Sequence, residues 1–159
     1  MQSHALGNSG LCVPALGLGS WITLADPSSP PPERVVHAAL DAGLWLLDTA
    51  DVYDHGAAEE LLGKALAGRN RQHVVIATKA FCTMSEHPND CGLSRKHLFE
   101  SVHNSLGRLR TDYLDLFQCH RFDPLVPLEE TVRALGDLIR QGKILYWGTS
   151  QWTASNLRD

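Results

Sequence analysis

Asp48 and Tyr53 stand five residues apart in "LLDTADVYD" (46–54), where an apolar run stops on a carboxylate and a phenol follows in the next turn. Two more apolar runs stop on groups of matching chemistry: "HVVIATK" ends on Lys79 and "YLDLFQCH" ends on His120. A phenol in water titrates near ~10 and is a poor proton donor at neutral pH. An ammonium beside it favours the phenolate. A buried ammonium in turn needs a carboxylate to hold it charged, and Asp48 is the candidate for Lys79. A histidine beside the phenol can donate a hydrogen bond to an oxygen, orienting a carbonyl or sharing the proton. The set Asp48, Tyr53, Lys79 and His120 therefore reads as a tuned general acid, suited to protonating a carbonyl oxygen while a hydride arrives at carbon.

Taken singly, each residue has a plainer reading. Lys79 would be a solvated strand end, His120 a satisfied structural histidine, Asp48 a cap of the following turn, and Tyr53 a loop aromatic half-packed on the core. Joint placement carries the chemical reading, because every plain reading would have to hold at once. Asp51 and Asp54 read as turn chemistry. The other seven histidines show no ligand-type spacing, and His55, close to Asp51 and Asp54, has no further clustered ligand, so no metal site is expected.

The elements that must position these residues follow from hydrophobic patterning. Strand-like runs cover 14–20, 44–50, 73–79, 113–120 and 144–150, most of them continuously apolar, as strands buried on both faces are. Helical stretches lie between them at 31–43, 58–68, 94–110 and 127–143. Ser94 is the expected N-cap of the third. Its apolar row is Leu98, Val102, Leu106 and Leu109, and that of the fourth is Leu128, Val132, Leu135 and Ile139. A fifth helix is expected to start at Thr153. Strand and helix in alternation imply a parallel sheet with right-handed crossovers, either an open doubly wound sheet or a (β/α)8 barrel. The Gly-rich "GLGSW" lacks the third glycine of a dinucleotide fingerprint, and the prolines at 30–32 bar a helix opening directly after it. In a parallel barrel the ligand-facing residues come from the C-terminal ends of the strands, where Asp48, Lys79, His120 and Ser150 all fall.

The 159 residues suit one domain, with 43% hydrophobic and 20% charged residues. A net charge of −4 and no block of like charge argue against nucleic acid and an anionic membrane surface. No run approaches a membrane span, and no basic-then-apolar leader is visible, which leaves a cytoplasmic location as the default. The four cysteines show no CxxC pair, and Cys12 and Cys119 are expected as buried free thiols.

At the residues already quoted, the chain resembles the first half of an aldo-keto reductase. "GNSGLCVPALGLGSW" resembles that family's opening hairpin, here about 3–13, and its first strand. "GLWLLDTADVYDHGAAEELLGKAL" resembles its aspartate–tyrosine signature with the following E-x-x-L-G. "VVIATKAF", "SLGRLRTDYLDLFQCHRFDP" and "ILYWGTSQW" resemble the segments carrying its lysine, its histidine and the serine that holds the nicotinamide amide. The "CHRFDP" and "GTSQW" forms are nearer to the bacterial and potassium-channel β-subunit branches than to the aldose reductase branch. The resemblance implies a (β/α)8 barrel of TIM type, present over residues 1–159 as roughly the first five β/α units, and NADPH-dependent reduction of a small carbonyl substrate. It carries over Tyr53 as general acid, Lys79 and Asp48 as the groups that tune it, and His120 as the group that orients substrate. Ser150 and Gln151 would hold the nicotinamide carboxamide, with Gly19, Ser20, Trp21 and Asp48 beside the cofactor. Two other readings stand beside this one: a truncated and catalytically idle fragment, and an NADP-sensing regulatory subunit of the same fold. An open five-stranded sheet would expose an edge at each end and favour self-association.

Overall fold

The computed structural model describes residues 2–24, 26 and 28–158. The chain opens with a hairpin in which β1 (Ser3–Ala5) pairs antiparallel with β2 (Cys12–Pro14). A five-stranded parallel sheet follows in sequence order: β3 (Leu18–Gly19), β4 (Leu46–Asp48), β5 (Val75–Ala80), β6 (Leu114–Cys119) and β7 (Ile144–Thr149). The crossovers carry α1 (Pro32–Asp41), α2 (Ala57–Ala65), α3 (Arg95–Leu109) and α4 (Leu128–Arg140). This is an α/β architecture, part of a (β/α)8 barrel, with β3 and β7 as its two edges.

Alternate residues of each strand point to opposite faces. Leu47, Ile76, Thr78, Phe117 and Cys119 turn towards the helices and are almost completely buried. They form one core with Val36, Leu62, Leu98, Val102, Leu106, Leu109, Leu135 and Leu138 from α1 to α4, and the α3 row is the one expected from its spacing. Ser94 caps α3, its hydroxyl accepting from His97 N. Asp48, Lys79 and His120 lie on the other face, which the helices do not cover.

Four local expectations need correcting. The first strand is two residues long rather than seven: Pro14 ends the hairpin, and the chain then passes so close to β4 that a Cβ on Gly17 would lie 2.9 Å from Leu46 O. In α4 the buried row is Thr131, Ala134, Leu135 and Leu138, while Val132 and Ile139 are 43% and 39% exposed. Two apolar rows were available on that helix, and contact with β7 and α3 selected this one. Cys12 is exposed on the hairpin, whereas Cys119 is buried and its thiol is pushed up to about 12 by that burial. After β7 the chain makes a turn over residues 154–158, closed by reciprocal hydrogen bonds between Thr153 and Asn156, and no fifth helix forms among the described residues.

Candidate active site

A ladder of backbone hydrogen bonds levels the C-terminal ends of the strands. Ser20 N donates to Asp48 O, Asp51 N to Lys79 O, His120 N to Ala80 O and Ser150 N to Cys119 O, at 2.9, 3.0, 3.0 and 2.9 Å. Residues distant in sequence thereby share one rim.

Lys79 is the hub. Its Nζ donates to Asp48 Oδ1 and Oδ2 and to Thr49 O, each at 2.8 Å, and lies 3.4 Å from Tyr53 Oη. The lysine side chain is 8% exposed and the Asp48 side chain 39%, so the pair is buried on the ammonium side and open on the carboxylate side. The bidentate carboxylate and the carbonyl compensate the buried ammonium, and the remaining contact brings it against the phenol. The turn explains why the phenol reaches back. Asp54, His55 and Gly56 follow Tyr53 with φ of 49°, 48° and 93°, three left-handed residues in succession that reverse the chain before α2. Asp and His are among the side chains that tolerate this region, and glycine adopts it freely.

His120 stands edge-on to the Tyr53 ring, with centroids 5.9 Å apart. Burial drives its imidazole down to about 4, with the Lys79 and Arg121 charges adding to the effect, so at neutral pH it is an uncharged ring with one N–H to donate. Its Nδ1 is buried without a hydrogen-bond partner among the described residues, as is Ser20 Oγ. Trp21 also stacks on Tyr53, with ring centroids 6.0 Å apart, although the indole is largely exposed. Ser20, Trp21, Ile22, Asp26, Tyr53, Asp54 and Ala58 line a cavity of about 420 Å³. A second cavity of the same volume lies at the opposite ends of the strands, around Arg71. The guanidinium there is committed to Thr111, Val74, Tyr113 and Asp115 and has nothing free to react.

Of the residues carried over by resemblance, Asp48, Tyr53, Lys79, His120, Ser20 and Trp21 come together in this way, and Gly19 pairs in register with Asp48. Ser150 sits on the same rim beside His120, half-buried, while Gln151 is exposed in a left-handed conformation with φ of 57°. Asp51 departs from the reading as turn chemistry. It is 1% exposed, neither carboxylate oxygen has a partner among the described residues, and burial together with the charge of Glu59 raises it to about 7.

A support network also lay outside the sequence reading. Fully buried Glu59 accepts from Thr78 Oγ1 at 2.6 Å and from Arg108 Nε at 2.6 Å, tying the start of α2 to β5 next to Lys79 and to the end of α3. The glutamate of E-x-x-L-G was the available signal, but nothing in the spacing pointed to Arg108, 49 residues away. Among the described residues no group of three or more His, Cys, Asp or Glu could hold a metal ion, and no helix is long and apolar enough to cross a membrane.

Comparison with known proteins places this geometry in company. The model of the aldo/keto reductase family matches residues 15–159. A probable voltage-gated potassium channel subunit beta from Oryza sativa subsp. japonica is 43% identical over 162 residues, covering 100% of this chain and 49% of the relative. A putative subunit of the same kind from Schizosaccharomyces pombe is 44% identical over 154 residues, covering 94% and 45%. Among solved structures, a thermostable aldo-keto reductase in complex with the inhibitor epalrestat superposes with a TM-score of 0.83 at 37% identity, covering 99% of this chain and 56% of its own. An aldo-keto reductase from Bacillus halodurans in its holo form gives 0.84 at 36%, covering 94% and 50%. The chain spans about half the length of the curated relatives it matches.

Proposed function

The chain belongs to the aldo/keto reductase family, and from that premise we propose that it carries the proton-donating half of an NADPH-dependent carbonyl reductase site. The contact that supports this reading is the one from Asp48 through Lys79 to Tyr53, at 2.8 and 3.4 Å. A carbonyl oxygen set between Tyr53 and neutral His120 accepts a hydrogen bond from each. As the carbonyl carbon takes up a hydride, the C=O π pair moves to oxygen and takes the Tyr53 proton. Lys79 stabilises the phenolate left behind, and solvent returns the proton.

The residues on the rim suit a nicotinamide. The unpartnered Ser20 hydroxyl, the half-buried Ser150 and the exposed Gln151 amide offer the mixed donors and acceptors that a carboxamide needs. Gly19, Trp21 and Asp48 would complete the protein's side of that contact. When bound, the reduced nicotinamide supplies the hydride. The 420 Å³ cavity beside Tyr53, with Trp21 and Ile22 in its wall, suits a small aldehyde or ketone.

A second reading, a nicotinamide-sensing regulatory subunit with slow or idle chemistry, draws support from similarity to proteins named as potassium channel β subunits. One assay separates the two. NADPH oxidation is followed with an aromatic aldehyde for the native chain and Tyr53→Phe, with cofactor binding read by fluorescence. The reductase reading expects turnover that falls by about 10²-fold or more in the variant while binding is kept. Undiminished turnover in Tyr53→Phe removes the tyrosine as acid, and binding without turnover in either protein favours the sensor.

A further inference from the structure

The loop that joins β5 to α3 leaves the Lys79 strand at Phe81, returns at Leu93, and carries two of the four cysteines, Cys82 and Cys91. Its outgoing and returning limbs are joined twice. Gly92 N donates to Phe81 O at 2.7 Å, and Met84 N donates to Asp90 O at 3.1 Å. Between these two bonds lie Cys82 and Thr83 on the outgoing limb and Cys91 alone on the returning one. Two residues opposite one is the count of a β-bulge in an antiparallel pair. Cys82 and Cys91 each stand one step inside the bonded Phe81–Gly92 positions. Positions so related oppose each other with Cα atoms about 4.5–5.5 Å apart, within the roughly 4.4–6.8 Å that a disulfide spans, and opposed residues share a face.

Both limbs are also held from outside the loop. Phe81 packs against the core. Buried Leu93 donates its N–H to Asp123 Oδ2 at 2.8 Å, and its carbonyl accepts from Thr131 Oγ1 at 3.1 Å. The neck is therefore fixed by β5, α4 and the loop after β6, and the two cysteines are kept opposite one another whatever the loop tip does. Both thiols are free and half-buried, so a small oxidant reaches them. The other two cysteines are placed differently: Cys12 is exposed on the hairpin, and Cys119 is buried with its thiol pushed up to about 12.

We propose that Cys82 and Cys91 are a redox site that closes to an intramolecular disulfide when the chain meets a peroxide and reopens in a thiol reductant. One thiolate attacks the peroxide, its O–O bond breaks, and a sulfenic acid forms with release of one water. The second thiol displaces the sulfenic oxygen as another water and the S–S bond forms, so the two sulfurs give up the two electrons that the peroxide takes. Burial and the charge of Asp51 raise the Cys82 thiol, with Arg121 acting in the opposite sense. Closure is therefore slow at neutral pH and speeds up as pH rises. The bond would staple the loop directly after the strand that carries Lys79.

The test needs neither cofactor nor turnover, so its outcome is independent of the reductase reading. Trypsin leaves both cysteines in one peptide, residues 80–95, because no Lys or Arg lies between Lys79 and Arg95. After the reduced chain is treated with hydrogen peroxide and the remaining thiols are alkylated, this peptide is expected to be lighter by two hydrogens and to escape alkylation. Dithiothreitol should restore both thiols. Cys82→Ser and Cys91→Ser should each prevent the loss, with far-UV circular dichroism checking that the variants fold. Because the fold sets the two sulfurs opposite one another, closure should be at least about tenfold faster in the native chain than in denaturing urea. A peptide that only gains oxygen or stays fully alkylated, a loss that persists in either folded variant, or equal rates with and without urea overturns the proposal.

Discussion

Asp51 lies two residues before Tyr53 with its carboxyl buried and unpartnered, beneath a turn that already carries two non-glycine left-handed residues. Each such residue costs on the order of 1–3 kcal/mol, so the turn is held by its surroundings rather than by its own preference. Asp51 is best accommodated as the neutral acid. Its folded value, about 7, lies above the usual 3.8. Its contribution is therefore fully present below about pH 3.8 and is lost as pH rises through about 7. Asp51→Asn removes that loss. We expect the variant to gain stability relative to the native protein between pH 5 and pH 8, with roughly 3 kcal/mol as the ceiling over that window for a shift of this size, measured by urea denaturation at both pH values. A native-minus-variant difference that does not change with pH sinks the assignment. His120 acts in the opposite sense and lower down: its folded value is about 4, so its contribution holds above about 6.5 and is lost as pH falls towards 4.

The position of α2 decides where Tyr53 and Lys79 stand relative to one another, because Glu59 on its first turn reaches both Thr78 and Arg108. That reach requires α2 to lie almost against the end of α3. Gly63 makes it so: a Cβ there would meet Arg108 O at 2.5 Å and Leu109 C at 2.8 Å, both backbone atoms that cannot swing aside. The glycine of E-x-x-L-G thus has a packing reason. We expect Gly63→Ala to destabilise the fold by about 1–3 kcal/mol despite alanine's better helix propensity, measured by thermal or urea unfolding. An unchanged or raised midpoint would show that α2 does not need the close approach.

At the scale of the whole sheet, five parallel strands form part of a barrel, and the residues proposed to donate the proton share one rim of it. The inner face of these five strands carries Asp48, Lys79, His120 and Ser150. A ligand on that face is covered from one side, so less of its surface leaves water than in a closed barrel. NADPH is accordingly expected to bind the 159-residue chain weakly, with a Kd at least about tenfold above that of a full-length family member under the same conditions. Fluorescence titration reads this directly, and tight saturable binding comparable to the full-length protein would contradict it.

Much of this is legible in the sequence. Apolar runs of strand length ending on Asp48, Lys79, His120 and Ser150 identified the parallel units and the rim, because strand periodicity and burial are local properties written in consecutive residues. The cap at Ser94 and the Leu98–Leu109 row of α3 were visible for the same reason. What tertiary structure decided was everything that depends on which neighbour is present. It chose between the two apolar rows of α4, left Cys12 on the surface while burying Cys119, and cut the first strand to two residues. It brought Arg108 to Glu59 across 49 positions and turned Asp51 from an ordinary turn aspartate into a buried acid. A side chain's type and spacing are carried by the chain itself, but its charge state, partner and exposure are set by the atoms that folding places around it.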